Sequence, residues 1–298
     1  MSSFTISSAG RTSIGGFAQR DNQDAFLVSD RVFCVADGHG GCGKAVAESV
    51  CATVAAQADK LGFAELFAVA DRAADLLISD ISSYRDGGGT TASVLKIDAD
   101  GSCHVAHVGD SEVRVFDTDE GDGVALTQDH SVLSLAEFQR IRAKHGEANF
   151  LFQHGSYTYR PVFVQIEGEW KMNPLGGFSY CNVRSDWSAY IVNHEMRKLA
   201  MTRAIGDFDM RDSGVISTPD VVVAAPHATG IRAIVLASDG LWDAMHYSEV
   251  CTIVRNPEYI GKAEVAAERL LDACLVKGTR LFGSSQDNIA LIVIYITV

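Results

Sequence analysis

Short runs of β-branched and apolar residues bounded by turn formers recur along the chain, at 32–36, 92–97, 104–108, 113–116, 221–224, 231–237 and 289–298. Runs of this length and composition predict strands. Between them the apolar positions return at helical spacing. An Ala/Val-rich stretch at 43–60 is followed by 63–81, where Phe63, Leu66, Phe67, Ala70, Ala74, Leu77 and Ile81 share one face. A third helical pattern, at 263–276, meets Lys277-Gly278, which reads as a stop signal. The order is strand, two helices, several strands, an irregular middle, strands, a helix and a last strand. It predicts antiparallel sheet with grouped helices. No repeat, low-complexity tract or Pro/Gly/Ser-rich linker divides the chain, and five prolines leave little linker material.

Two of the apolar runs end in the same way. "RVFCVADGHGG" stops on Asp37-Gly38 and carries His39 just beyond, and "IRAIVLASDGLWD" stops on Asp239-Gly240. Asp-Gly alone is a common turn. The irregular middle has a different character, because aromatic residues crowd between Phe150 and Tyr190. Disordered segments are poor in aromatics, so this stretch is expected to pack, either as a hairpin-like subdomain with its own core or as a substrate or partner surface.

Charge narrows the field. At 298 residues and a formal charge of −13, the chain can bury a sizeable core but would repel nucleic acid phosphates and anionic lipid. Neither nucleic acid nor membrane is expected as a partner. The seven cysteines are scattered with no C-x-x-C pair, as suits reduced thiols. No signal-peptide pattern opens the sequence, Ser2 rules out the myristoylation motif, and no apolar run reaches spanning length. The expectation is a soluble, monomeric protein of the cytoplasm, with the nucleus also open to it.

The candidate chemistry lies in carboxylates at predicted strand ends: Asp24, Asp37, Asp110, Asp239, Asp243 and Asp287. Two like charges about 4 Å apart repel by about 4 kcal/mol at an effective dielectric of 20, so clustered aspartates need cations or protons. An all-oxygen donor set suits Mg²⁺ or Mn²⁺ better than Zn²⁺, for which Cys and His are not grouped. Glycine after Asp37 and Asp239 would allow a sharp turn and leave a carbonyl free to approach a metal.

In chain order, "RDNQDA", "VADGHGG", "GGGTTA", "HVGDSE", "LTQDHS", "LAMTRAIGDF", "STPDV", "LASDGLWD" and "QDNIALIVI" resemble the motif series of the type 2C, metal-dependent serine/threonine protein phosphatases (the PPM type). The match runs over residues 10–298. The resemblance implies an α+β fold, a four-layer α/β/β/α sandwich of two antiparallel β-sheets flanked by helix pairs, forming one catalytic domain over 1–298. It also implies phosphoserine and phosphothreonine hydrolysis by direct attack of a hydroxide bridging two metal ions. Residue by residue, Asp37 matches the carboxylate bridging the metals, Gly38 the carbonyl ligand, and Asp239 and Asp287 the remaining core carboxylates. Asp24 matches the acid holding metal-bound water, and Asp110 with Asp243 a weaker third metal position. Arg20 matches the phosphate-binding arginine and His39 the general acid. Arg203 and Asp207 are expected to brace the site by ion pairing, Thr90 and Thr91 to start a buried strand, and Cys34 and Cys42 to fill space.

Three positions depart from the pattern. Gln23 stands where an acid is usual, Arg20 lies one residue nearer Asp24 than usual, and Glu112 occupies an arginine position, with Arg114 following on the same strand face. The segment after "LTQDHS" is also longer than in compact members, so residues 146–195 are expected to enlarge the flap beside the site and influence substrate choice. The alternative to an active phosphatase is a pseudophosphatase that keeps the fold as a binding module. Retention of Asp37, Asp239 and Asp287 argues for activity. A metal phosphatase for small molecules shares the chemistry and differs only in the flap.

Overall fold

In the strand Val32–Ala36, Phe33 and Val35 enter one core while Val32, Cys34 and Ala36 enter another. A strand enclosed on both faces can be apolar throughout, which is why the run shows no polar alternation. The computed structural model describes residues 4–16, 21–80, 87–118, 121–146, 148–154, 158–174 and 187–298. Its centre is a pair of five-stranded antiparallel sheets. One has the order Thr5–Ser13, Ile289–Thr297, Ile231–Ala237, Glu112–Phe116 and Val124–Ala125; the other runs Asp220–Ala224, Cys103–Val108, Ala92–Ile97, Val32–Ala36 and Ala25–Val28. The first strand pairs with the last along its whole length, Thr5 opposite Thr297 and Ser13 opposite Ile289.

The helices in chain order are α1 (Gly43–Gln57), α2 (Phe63–Asp80), α3 (Leu135–His145), α4 (Asp239–Trp242), α5 (Tyr247–Val254) and α6 (Ala263–Phe282). Between the sheets lies a core of Phe33, Leu95, Val113, Ile234, Ile292 and their neighbours. The outer face of the second sheet packs on α1 and α2 through Val46, Val50, Leu66 and Phe67. That of the first packs on α5 and α6, where Val235, Val293 and Tyr295 meet Val254, Ala267 and Leu270. The result is the four-layer α/β/β/α sandwich of an α+β fold. None of the described helices is long and apolar enough to cross a membrane. The six described cysteines are buried and none is in a disulfide; Cys181 lies outside the described residues.

One predicted boundary fails. The helix expected to stop at Lys277-Gly278 continues as α6 to Phe282. Gly278 sits inside it because the side chain of Gln286 lies against the helix there; a Cβ would come 2.1 Å from Gln286 Nε2. The strand Thr5–Ser13 carries few apolar residues and went unpredicted.

A fourth core gathers the irregular middle. Phe138 and Ile141 of α3 pack with Phe150, Phe152, Phe163, Ile191 and Leu199, and Trp170 lies against Phe138 at 4.9 Å between ring centroids. The described part of the 146–195 segment therefore has a core of its own, shared with α3 and with Met201, Met210 and Val215.

Candidate active site

At the end of Val32–Ala36 the main chain of Asp37 is fixed from both sides. Its N–H donates to Thr91 Oγ1 at 3.0 Å, and its carbonyl accepts from the Thr91 N–H and the Thr90 hydroxyl, each at 2.9 Å. Thr90 and Thr91 are fully buried, so the expected strand start is also the clamp of this aspartate. Gly38 needs to lack a side chain because a Cβ would lie 2.5 Å from the Gln23 carbonyl oxygen and 2.5 Å from the Gly43 carbonyl carbon. The reason is close approach, and its φ is not left-handed. Gly240 is different from the expectation: it lies in α4, its carbonyl accepts from Cys274 Sγ, and a Cβ would strike the Asn288 carbonyl oxygen at 1.9 Å. Its carbonyl is turned to Cys274 in the core, so the free carbonyl expected after Asp239 is not found there.

The sandwich brings distant carboxylates to one edge. The Ser238 hydroxyl, at the end of Ile231–Ala237, donates to Asp24 Oδ2 at 2.7 Å, while Asp24 Oδ1 is buried without a hydrogen-bond partner. Burial raises the Asp24 pKa, the Ser238 hydrogen bond opposes it, and repulsion from Asp239 and Asp287 raises it further, to about 7. Burial and then repulsion from Asp24, Asp239, Asp110 and Asp287 push Asp37 well above the usual carboxylate range. Asp110 is carried to about 8 by burial and then by Asp239 and Asp129. Asp129 is carried to about 7 by burial, Glu112, Asp239 and Asp243. Asp239 thus acts on Asp24, Asp37, Asp110 and Asp129, Asp287 on Asp24 and Asp37, and Asp243 on Asp129. Arg20 lies outside the described residues.

His39 stands beside this edge on the short strand Gly38–Gly40. Its Nε2 pairs with Asp207 Oδ2 at 2.7 Å, and its Nδ1 is buried without a partner. Burial lowers the His39 pKa, but the Asp207 charge and hydrogen bond outweigh it and the net shift is upward. Asp207 moves the opposite way, since His39 and Arg197 together outweigh its burial and hold it below its ordinary value. Asp207 does not pair with Arg203. That arginine binds Glu137 at 2.7 Å and Asp220 at 2.7 Å, bracing α3 against the strand Asp220–Ala224.

The donor set suits a hard divalent cation. It consists of oxygens only, two of its buried carboxylate atoms, Asp24 Oδ1 and Asp110 Oδ1, have no hydrogen-bond partner, and burial with neighbouring charge favours the protonated form of Asp24, Asp37 and Asp110. Among the described residues no group of three or more His, Cys, Asp or Glu side chains is gathered closely enough to hold a metal ion as the side chains stand, although Asp24, Asp37 and Asp110 each feel neighbouring carboxylates.

Residues 11–281 match the family described as Protein phosphatase 2C. The chain belongs to the protein phosphatase 2C family. It is 25% identical over 290 residues to Protein phosphatase 2C homolog 3 of Schizosaccharomyces pombe, covering 92% of this chain and 58% of that protein. The fold is similar to serine-threonine phosphatase 2C from Toxoplasma gondii, with TM-score 0.68, 19% identity and coverage of 98% and 95% of the two chains. It is also similar to the catalytic domain of the phosphatase PstP in complex with two manganese ions, with TM-score 0.60, 17% identity and coverage of 99% and 100%. The chain spans between 37% and 65% of the length of the curated relatives it matches first.

The positions that depart from the motif series have local consequences. Gln23 Nε2 donates to the Gly40 carbonyl at 2.8 Å, a bond an ionised acid cannot make, and the Gln23 N–H donates to Asn288 Oδ1 at 2.8 Å. Glu112 accepts from Arg114 Nε at 2.5 Å and from the Tyr247 hydroxyl at 2.9 Å, and the Arg114 guanidinium stacks 3.4 Å from the Tyr247 ring centroid. Arg114 shares a face with Glu112, and its charge is engaged there. Ser238, Asn288 and Arg197 escaped sequence reasoning. Each acts across more than the reach of a local motif, though Ser238 and Asn288 adjoin Asp239 and Asp287.

Proposed function

We propose that this chain is an active serine/threonine protein phosphatase that takes two divalent cations, Mg²⁺ or Mn²⁺, at the carboxylate edge. The observation that carries this reading is the convergence of Asp24, Asp37, Asp110, Asp239 and Asp287, with His39 held by Asp207 alongside. Carboxylates that raise one another's pKa are relieved by cations. Asp37, the Gly38 carbonyl, Asp239 and Asp287 would hold the two ions, Asp24 their water, and Asp110 with Asp243 a weaker third ion. When bound, such ions supply a water of lowered pKa and neutralise phosphate charge. The resemblance to the manganese-bound PstP domain supports this choice of ion.

Other tasks fall to the side chains. Asp207 binds His39 through Nε2 and favours the protonated ring, which leaves Nδ1 to give its proton to the departing serine or threonine oxygen. Arg20 is assigned to the phosphate by its motif, where a planar guanidinium offers paired donors. Residues 146–195 are assigned to the choice of phosphoprotein.

The test is turnover of p-nitrophenyl phosphate and a phosphoserine peptide with Mn²⁺, with a chelator, and after Asp239→Asn. Hydrolysis should depend on the ion, vanish with the chelator, and fall by roughly 100-fold or more in the variant. Hydrolysis indifferent to the chelator would overturn the metal assignment. A folded protein inactive with every ion would instead be a pseudophosphatase.

A further inference from the structure

We propose that Arg197 is a positioning residue for the reaction, holding the Asp207 carboxylate against His39 and so tying the imidazole's orientation to the return turn of the 146–195 insertion. The inference rests on the reading of His39 as general acid. Asp207 has no exposed surface, and its two oxygens are divided between two partners. Oδ2 meets His39 Nε2 at 2.7 Å, and Oδ1 accepts from Arg197 Nη2 at 2.6 Å. A carboxylate bound on one oxygen could still swing about its Cβ–Cγ bond. Bound on both, with its N–H donating to the Gly88 carbonyl at 2.9 Å, it presents one fixed face to the imidazole.

Arg197 comes from outside the sandwich. It ends a tight turn that follows the strand Trp187–Val192, and buried Asn193 builds that turn. Asn193 Oδ1 accepts from the N–H groups of Glu195 at 3.0 Å and Arg197 at 2.9 Å. The Asn193 N–H donates to the Arg197 carbonyl at 3.1 Å, its carbonyl accepts from the Met196 N–H at 3.0 Å, and Met196 takes a left-handed φ of 64°. The same turn is stitched to the loop that carries Asp207, since Asn193 Nδ2 donates to the Asp209 carbonyl at 3.4 Å and Arg197 also pairs with the Asp209 carboxylate. His39, Asp207, Arg197 and Asn193 thus form a continuous chain from the carboxylate edge to the insertion. Arg197 does not touch the reacting atoms on this assignment; it acts through Asp207.

A positioning role separates from a structural one by leaving group. Serine alkoxide leaves poorly without a proton, whereas p-nitrophenolate needs little help. The experiment compares Arg197→Ala, Arg197→Lys and His39→Ala, loaded with Mn²⁺, on a phosphoserine peptide and on p-nitrophenyl phosphate. Arg197→Ala should lower kcat on the peptide about 10-fold more than on the aryl phosphate, with KM little changed, and Arg197→Lys should recover part of it. Equal losses on both substrates, or no loss, would overturn the proposal. If His39→Ala also fails to discriminate, the general-acid reading has fallen; if it discriminates and Arg197→Ala does not, only the Arg197 assignment has. A second readout does not depend on turnover. The His39 Nε2–H resonance should be seen in the unaltered protein and lost in Arg197→Ala, and an unchanged resonance would overturn the assignment.

Discussion

Gly89 has room for a hydrogen atom and nothing larger. A Cβ there would stand 2.3 Å from Asp207 Oδ2 and 2.6 Å from the Ile205 carbonyl oxygen, on a short strand paired with both Gly206 and His39. Gly89→Ala should therefore push the Asp207 carboxylate off His39. The expected loss is about 1–3 kcal/mol of stability from overpacking, together with a fall in kcat on phosphopeptide. Gly62→Ala is the control, because a Cβ there meets nothing within 4 Å. Thermal unfolding of the two variants decides it, and equal melting temperatures would sink the argument. In sequence, "GGGTTA" suggested only the start of a strand. The glycine's purpose was hidden because its neighbour, Asp207, lies 118 positions along the chain. The aspartates themselves were legible as a motif set. Ser238, which donates to Asp24, and Arg197, which fixes Asp207, were not, since neither residue type signals its partner.

At the scale of elements, α6 shows local grammar overruled by packing. Gly278 reads as a helix terminator, yet the helix passes through it so that Gln286 can lie on its surface, Nε2 donating to the Cys274 carbonyl at 3.2 Å and Oε1 accepting from the Thr279 hydroxyl at 3.3 Å. This seats the turn that leads to Asp287. Alanine gains up to about 1 kcal/mol over glycine inside a helix, but here its methyl would displace Gln286. Gly278→Ala should destabilise by about 1–3 kcal/mol in urea unfolding, and adding Gln286→Ala should return part of that loss through a non-additive cycle. A Gly278→Ala protein more stable than the unaltered chain would contradict the packing account. Strands such as Val32–Ala36 and Ile231–Ala237 were readable to the residue because both their faces are covered, which makes their apolar runs continuous. Thr5–Ser13 was not, because as a sheet edge it is half covered and carries "TISSAGRTS". Its place is set by the last strand, far away in sequence, and no local pattern records that pairing.

For the whole molecule the decisive tension is electrostatic: a chain of net charge −13 folds so as to gather several of its carboxylates at one edge. The layer order could be anticipated from strand and helix order with the motif series, but how strongly that edge opposes its own ionisation is a property of the assembled sandwich. Asp24 at about 7, Asp110 at about 8 and Asp37 well above the usual range all exceed the value of about 3.9 for an unfolded aspartate. At these three carboxylates the folded, metal-free protein therefore binds more protons than the unfolded chain between about pH 4 and 8. Stability contributed by these protonated groups is present below pH 4 and is lost as pH rises through the folded pKa values. Melting temperatures in chelator should accordingly be lower at pH 8 than at pH 5 for this part of the molecule, and Asp24→Asn should flatten the difference. Divalent cation reverses the preference, since it binds the ionised folded site and stabilises the folded state by mass action. Excess Mn²⁺ should raise the melting temperature more at pH 8 than at pH 5, because at pH 5 the ion must first displace protons from Asp24, Asp37 and Asp110. A Mn²⁺-induced shift of equal size at both pH values would mean that the ion binds elsewhere and that the carboxylate edge is held by its protons alone.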